Sequence, residues 1–257
     1  MGKLFGYIKQ PVLEKWHITG QIGAGAYSET YEINSGNETA VIKVKPVLAE
    51  NQKIFERKIA VAQREALIME TLKECQYIVQ YHEREVQKIS DLFYLVIIKT
   101  EKLKPFAEHE NFLIPEEHII EIALDIAKAL EYVHNAGVVH CDVKPDNFFI
   151  SNDGIYKLGD FNISNYQGRE RSISGSYGYT APEVNTSKTY DLRSDIFSYG
   201  ISLNQLIKGQ CSPKFDAIIR KACEPDVLAR YQSMSEIICD ISAIKRNAYI
   251  NPAEFFS

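Results

Sequence analysis

The chain has 257 residues, of which 45% are hydrophobic, and a formal net charge of −5. That apolar share is enough for a sizeable core in one large domain or two lobes sharing a cleft, and the acidic balance argues against a nucleic-acid binder or a basic membrane-surface protein. No apolar run approaches a membrane span, Met1 to Gln10 lacks the apolar core of a signal peptide, and five scattered cysteines without a CxxC pair read as reduced thiols of a cytoplasmic protein.

In chain order, Trp16 to Ile22, Glu29 to Asn34 and Thr39 to Val44 read as three antiparallel strands. The first two are joined by Gly23-Ala24-Gly25-Ala26-Tyr27-Ser28. Small residues there let backbone N–H groups approach phosphate oxygens, while Tyr27 could cap the tip; an ordinary hairpin fits the same residues. Lys43 interrupts the apolar run Ala40-Val41-Ile42-Lys43-Val44 and, by alternation, shares a face with Val41. A lysine so placed needs an anionic partner. The helical stretch from Asn51 to Cys75 offers Glu65, which breaks a stripe otherwise made of Ala62, Ile68, Met69 and Leu72. The plainer alternative for Glu65 is a solvated helix charge. Two more strands follow, Tyr77 to Glu83 and Leu92 to Ile98.

From Pro115 the chain turns helical, with a strong 3.6-residue apolar period from Ile119 to Val133 and a natural stop at Gly137. Val138 and Val139 begin a short strand. His140, Asp142, Lys144 and Asn147 then fall within eight positions, too irregularly spaced to share one face. Burying such groups for stability alone is costly, so the segment marks a site. Phe148, Phe149 and Ile150 return to the core, Asp153-Gly154 turns a hairpin, and a second buried carboxylate arrives at Asp160. The chemistry suggested is phosphoryl transfer. Asp142 would accept or orient a hydroxyl proton, Asn147 and Asp160 would give hard oxygen ligands to Mg²⁺, and Lys144 would neutralise the moving charge. A loop of satisfied polar groups without catalysis is the alternative. Residues 163–180 are polar and hydroxyl-rich, with serines at 172, 174 and 176, and run into Ala181-Pro182-Glu183.

His140-Cys141-Asp142 with Asn147, Asp160-Phe161-Asn162 and Ala181-Pro182-Glu183 resemble the His-Arg-Asp-x-x-x-x-Asn, Asp-Phe-Gly and Ala-Pro-Glu motifs of the eukaryotic-type (Hanks-type) protein kinases, serine/threonine class. The likeness runs from about Ile18 to Ile244 and takes in the glycine loop, Lys43, Glu65, Asp195 and Arg230 in order. It implies an α+β fold of two lobes in a single domain over 1–257. The small lobe, about 1–98, would be a five-stranded antiparallel sheet with one helix. A hinge at about 98–104 would lead to a mainly helical lobe at about 105–257. ATP and Mg²⁺ would sit in the cleft. The resemblance implies that Lys43 and Glu65 position the α- and β-phosphates and that Ile22, Gly23, Ala24, Gly25, Ala26, Tyr27 and Ser28 cover the nucleotide. Ile97 would guard the back of the pocket, Ile98 to Thr100 would offer backbone groups to the adenine edge, and Ile22, Thr30, Val41 and Phe149 would sandwich the ring. His134 and His140 would be structural, Glu183 would pair with Arg230, and Asp195 would bond the catalytic-loop backbone. Ser176 would touch Asp142 and Lys144, which favours serine or threonine as acceptor. A protein substrate is implied, with autophosphorylation at Ser172 or Ser174 as a further expectation.

Four departures bear on regulation and rate. Ser28 stands where a third glycine is usual and reduces loop freedom. Cys141 replaces the arginine that clamps a phosphorylated activation segment, so activity should depend little on phosphorylation there. Asn162 replaces a glycine; asparagine tolerates left-handed backbone angles better than most residues, so Asp160 is expected still to reach Mg²⁺, with less freedom to flip. Only Gly209 to Ser212 separates two helices between which the family usually inserts another, its αG region. Two competing readings share parts of the pattern. A pseudokinase-like nucleotide-binding scaffold normally loses Lys43, Asp142 or Asp160, and a small-molecule kinase of the aminoglycoside phosphotransferase kind lacks the Ala181-Pro182-Glu183 and Asp195 features.

Overall fold

Strands β1 (His17–Ala24), β2 (Glu29–Ser35), β3 (Glu38–Leu48), β4 (Tyr81–Ser90) and β5 (Phe93–Thr100) form one antiparallel sheet in the order β1-β2-β3-β5-β4. The computed structural model describes residues 2–25, 27–106, 114–167, 175–187, 189–208 and 211–250, with backbone alone at 247–250. Contacts divide the chain into two units: one holds the chain up to Lys73 with Val79–Lys102, the other Glu74–Ile78 with everything from Leu103. Met1, Ala26, Ser172 and Ser174 lie outside the described residues.

In the first unit, the two faces of the sheet are covered differently. One face packs Tyr31, Ile33, Ile42, Val44, Leu95 and Ile97 under the N-terminal segment that carries Ile8, Val12, Leu13 and Trp16. The other packs Val47, Val96 and Ile98 against Phe55 and Ala66 of helix α1 (Gln52–Thr71). Alternation along each strand produces this split, because successive side chains leave on opposite faces. Helix α1 starts at Asn51, whose side-chain oxygen accepts the Ile54 N–H at 3.0 Å, and is shorter than the stretch to Cys75 suggests. Strand β4 likewise begins at Tyr81, not at Tyr77. The Tyr77 carbonyl is taken by the Leu158 N–H at 2.8 Å and Ile78 bridges Leu158, so residues 77 and 78 serve the second unit.

The second unit is built on α2 (Glu116–Asn135), whose inward face from Ile119 to Val133 is buried as the 3.6-residue period requires. Two short sheets, one of two strands and one of three, frame the candidate catalytic loop. Strand β7 (Val138–Val139) pairs with β10 (Asn165–Tyr166), and β8 (Phe148–Ile150) joins β6 (Lys104–Pro105) to β9 (Tyr156–Leu158). Helices α3 (Pro182–Ser187), α4 (Leu192–Ile207), α5 (Pro213–Ala222) and α6 (Met234–Ile250) complete it. Helix α4 ends at Ile207 and α5 starts at Pro213, with Gly209 and Gln210 outside the described residues. Ser212 donates to Glu116 through its N–H (2.8 Å) and its hydroxyl (2.5 Å), which docks the start of α5 on the start of α2.

Candidate active site

In the first unit the site grows from strand alternation. Thr30 lies opposite Lys43, and Lys43 opposite Ile98, while Val41 lies opposite Thr100. Directly opposed residues share a face, so Thr30, Val41, Lys43, Ile98 and Thr100 all project from the α1 side of the sheet. Lys43 Nζ stands 2.9 Å from Glu65 Oε1, and the Glu65 side chain is only 3% exposed. The ion pair is therefore shielded from the screening that weakens surface pairs. Lys45, not singled out from the sequence, makes a second ion pair with the other oxygen, Glu65 Oε2, and is itself buried. Its signal was the strand period: Lys45 follows Lys43 by two residues and must share its face. Two lysines on rigid β3 thus hold both oxygens of one carboxylate on α1.

Two expectations are corrected here. Ile97 points away from Lys43, into the cluster with Val44, Leu95 and Tyr31. Ile98, 1% exposed and opposite Lys43, is the side chain at the back of that face. A one-residue offset is enough, since it moves every side chain to the other face. Ile98 and Thr100 are not linker residues either: β5 runs through Thr100, paired with β3 on one side and β4 on the other, and the strand ends only before Glu101. Lys99 between them turns to the opposite face, with Nζ 4.0 Å over the Trp16 ring and 2.7 Å from Glu83. The glycine loop is a tight connection whose Gly25 N–H donates to the Ser28 carbonyl at 2.8 Å. Gly23 and Ala24 still belong to β1, paired with Thr30 and Glu29, and Ile22 (54%) and Tyr27 (72%) are exposed. Ala26 lies outside the described residues.

In the second unit the site grows from one buried carboxylate. Asp195, fully buried on α4, accepts the His140 N–H at 2.7 Å and the Cys141 N–H at 2.8 Å, with His134 Nε2 at 3.0 Å. A buried charge persists when it is met by several donors, and these donors lock the turn that carries Asp142. His140 adds a second fixation. Its Nδ1 accepts the Asp142 N–H at 3.3 Å, which leaves Nε2–H to donate to the Gly159 carbonyl at 3.0 Å. Its ring also meets Phe161 edge-on at 4.8 Å. His134 is thus tied to Asp195 and His140 is tied through both ring nitrogens.

Asp142 is held from both sides. Oδ1 accepts the Ser176 hydroxyl at 2.7 Å and the Ser176 N–H at 3.2 Å, while Oδ2 lies 3.1 Å from Lys144 Nζ and accepts Asn147 Nδ2 at 3.2 Å. Lys144 Nζ also donates to Ser176 Oγ at 2.6 Å. Gly175 is what admits this approach: a Cβ there would stand 2.6 Å from both Thr180 Oγ1 and Tyr190 Oη. The end of the segment is anchored by Arg230, 2% exposed, whose Nη1 and Nη2 meet Glu183 Oε1 and Oε2 at 3.0 and 3.2 Å.

Asn147 and Asp160 come close through the backbone between them. The Gly159 N–H donates to the Asn147 carbonyl at 2.9 Å, which sets Asp160 beside Asn147 at the open end of the β8–β9 hairpin. Asn147 spends its Nδ2 on the Asp142 carbonyl (2.7 Å) and carboxylate, so its Oδ1 is aimed elsewhere. An amide oxygen and a carboxylate are the donors that Mg²⁺ prefers. Asn162 lies in a 3-10 turn, Phe161–Ile163, and the left-handed residue is Asp160, at φ +57°. The Asn162 N–H donates to Asp160 Oδ1 at 3.3 Å. Cys141 is also left-handed, at φ +69°, and is buried with Val139, Ala181, Val184 and Tyr190, so an apolar contact fills the place of the family's arginine. Phe149 is half-buried on β8.

A family model described as "Protein kinase domain" matches residues 16–247. Among curated proteins, a probable serine/threonine-protein kinase of Clostridium perfringens is 26% identical over 96% of this chain and 40% of its own. The Wee1-like protein kinase of Arabidopsis thaliana is 29% identical over 77% of this chain and 39% of its own. A probable serine/threonine-protein kinase of Corynebacterium glutamicum is 25% identical over 94% and 44%, respectively. The chain thus spans less than half the length of each of these relatives. The family model covers most of the chain's length, and the chain belongs to the protein kinase domain family, as a Hanks-type catalytic domain.

Proposed function

We propose that the chain catalyses transfer of the γ-phosphate of ATP to serine or threonine hydroxyls of a protein. The observation that carries this reading is the fourfold hold on Asp142 by Ser176, Lys144 and Asn147, with Asp160 set beside Asn147. A carboxylate so fixed is placed to orient one hydroxyl and take its proton as the oxygen–phosphorus bond forms and the bond to the ADP oxygen breaks. Lys144 offsets charge on the group in transit. The joint contact of Lys144 and Ser176 with Asp142 favours an aliphatic hydroxyl acceptor.

In the first unit, Lys43, held by Glu65, contacts the α- and β-phosphates. Gly23, Ala24, Gly25, Ala26, Tyr27 and Ser28 cover the phosphates, and Ile22, Thr30, Val41, Ile98 and Thr100 give the nucleotide its apolar bed. Phe149 is proposed as a nucleotide contact on the second unit. Asn147 and Asp160 hold Mg²⁺, which when bound neutralises phosphate charge. Because an apolar contact fills the place of the clamping arginine at Cys141, activity depends little on phosphate at Ser172 or Ser174, even where the protein modifies itself there. The setting is proposed as cytoplasmic; among the described residues no helix is long and apolar enough to cross a membrane.

The test is phosphate incorporation from labelled ATP with Mg²⁺, using the protein itself and a generic basic protein as acceptors. Label on serine or threonine that is lost in Asp142→Asn and Asp160→Ala supports the proposal. Nucleotide binding without transfer would replace it with the scaffold reading, and label on a small acceptor alone would replace it with small-molecule phosphorylation.

A further inference from the structure

The N-terminal segment covers the sheet face opposite Lys43, and its backbone is gripped by side chains from two strands. Gln87 accepts the Lys9 N–H and donates to the Lys9 carbonyl, both at 2.8 Å, and Glu85 accepts the Leu13 N–H at 2.5 Å. Those contacts sit far from the glycine loop. The contacts of residues 2–4 do not.

Glu29 is the first residue after that loop, paired with Ala24 before it. Its carboxylate, on a residue 9% exposed, accepts the Lys3 N–H at 2.8 Å, the Leu4 N–H at 3.0 Å and the Tyr31 hydroxyl. Burial, with the Glu29 carboxylate beside it, pushes the Tyr31 phenol well above its ordinary range, so it remains a donor. Gly2 closes against both sides of the loop at once. A Cβ there would stand 2.2 Å from Glu29 Oε2 and 2.7 Å from Gln21 Nε2, and Gln21 Nε2 in turn donates to the Gly23 carbonyl at 3.4 Å. Strand β1 is the edge of the sheet, so the β1–β2 hairpin has a ladder neighbour on one side only. Edge hairpins fray first unless something covers them.

We propose that residues 2–4 form a strap that fixes the glycine loop from behind, with Glu29 as the positioning residue through which it acts on nucleotide binding. The inference rests on the kinase reading of that loop. A pinned base leaves less conformational freedom to lose when the loop closes on phosphates, and cutting that loss strengthens binding.

Glu29→Ala, Glu29→Gln and Gly2→Val test it, with Gln87→Ala as a variant that loosens the strap away from the loop. Glu29→Ala is expected to speed amide exchange at residues 24–30 by about tenfold. It should raise the dissociation constant for ATP about fivefold while kcat at saturating ATP stays within about twofold. Gly2→Val moves both readouts the same way, Glu29→Gln recovers part of the loss, and Gln87→Ala moves neither. If Glu29→Ala does not fold, Glu29→Gln and Gly2→Val decide. Loss of protection at Lys3 and Leu4 with loop exchange and ATP affinity unchanged would overturn the proposal, as would an equal loss of affinity in Gln87→Ala. Exchange needs no nucleotide, so a native protein that bound no ATP would remove the kinase reading while the loop amides still answered for the strap.

Discussion

Two regions that carry candidate functional residues, one in each unit, are stabilised in opposite ways. Around Asp142, rigidity comes from the interior: a fully buried carboxylate on α4 meets two backbone N–H groups and a histidine, and nothing at the surface is needed. Around the glycine loop, rigidity is borrowed from a distant piece of chain, since β1 is a sheet edge and Glu29 bonds residues 25 and 26 positions earlier. The first arrangement resists change until a central group is lost. The second can be loosened in steps. The lesson is that a loop that must close on a ligand is held at its base, whereas a carboxylate that must not move is held at its centre.

The largest effect that sharpens this contrast is chemical. Asp142→Asn should lower kcat by about a thousandfold, with thermal stability little altered, as read by labelled ATP and a melting curve. Next comes the centre of the network. Asp195→Ala strands the buried N–H groups of His140 and Cys141 and should cost about 3 kcal/mol, which lowers Tm by roughly 6–12 °C. If Tm moves as little as in a surface substitution, the second unit is not held from its interior as described.

In the first unit, Glu65→Gln should cost about 2 kcal/mol in denaturant unfolding, because half-buried Lys43 and buried Lys45 lose their shared carboxylate. A smaller change is expected for Asp191, the N-cap of α4. Burial pushes its carboxyl up, but the side-chain and backbone bonds from Arg193 prevail and hold it below the usual range. A depressed pKa adds stability above the unfolded value, near pH 4, and that stability fades as pH falls through the folded value. The native chain should therefore be more stable than Asp191→Asn at pH 7, and the gap should close below about pH 4. Smallest of all, Ser172→Ala with Ser174→Ala should change kcat by less than about twofold, because no arginine stands at 141 to clamp a phosphate; a tenfold loss would overturn that account.

Much of the site could be read from the chain because its signals are local. Asp142, Lys144 and Asn147 crowd into a few residues between apolar runs, and Lys43 and Glu65 each interrupt an apolar face. Such interruptions are legible because burial without a partner is costly. The pairings of Arg230 with Glu183 and of Asp195 with the loop backbone were legible only through the family resemblance, since their sequence separations carry no local period. Ile97 was misplaced although its strand was found: seven apolar residues in a row, Leu92 to Ile98, show no alternation that tells one face from the other.

The sequence by itself determined the order of the functional residues, the strand and helix types that carry them, and the family. Tertiary structure decided which face each strand residue takes, because register across β3 and β5 is set by pairing and a single step reverses it. It decided that Asp160, and not Asn162, adopts the left-handed conformation, since the 3-10 turn after Asp160 fixes the following angles. It also decided that Lys45 shares Glu65 and that Gly2, Lys3 and Leu4 meet Glu29. Contacts between residues so distant in the chain are bought with loop-closure entropy and repaid only in the folded state, so no short stretch of sequence announces them.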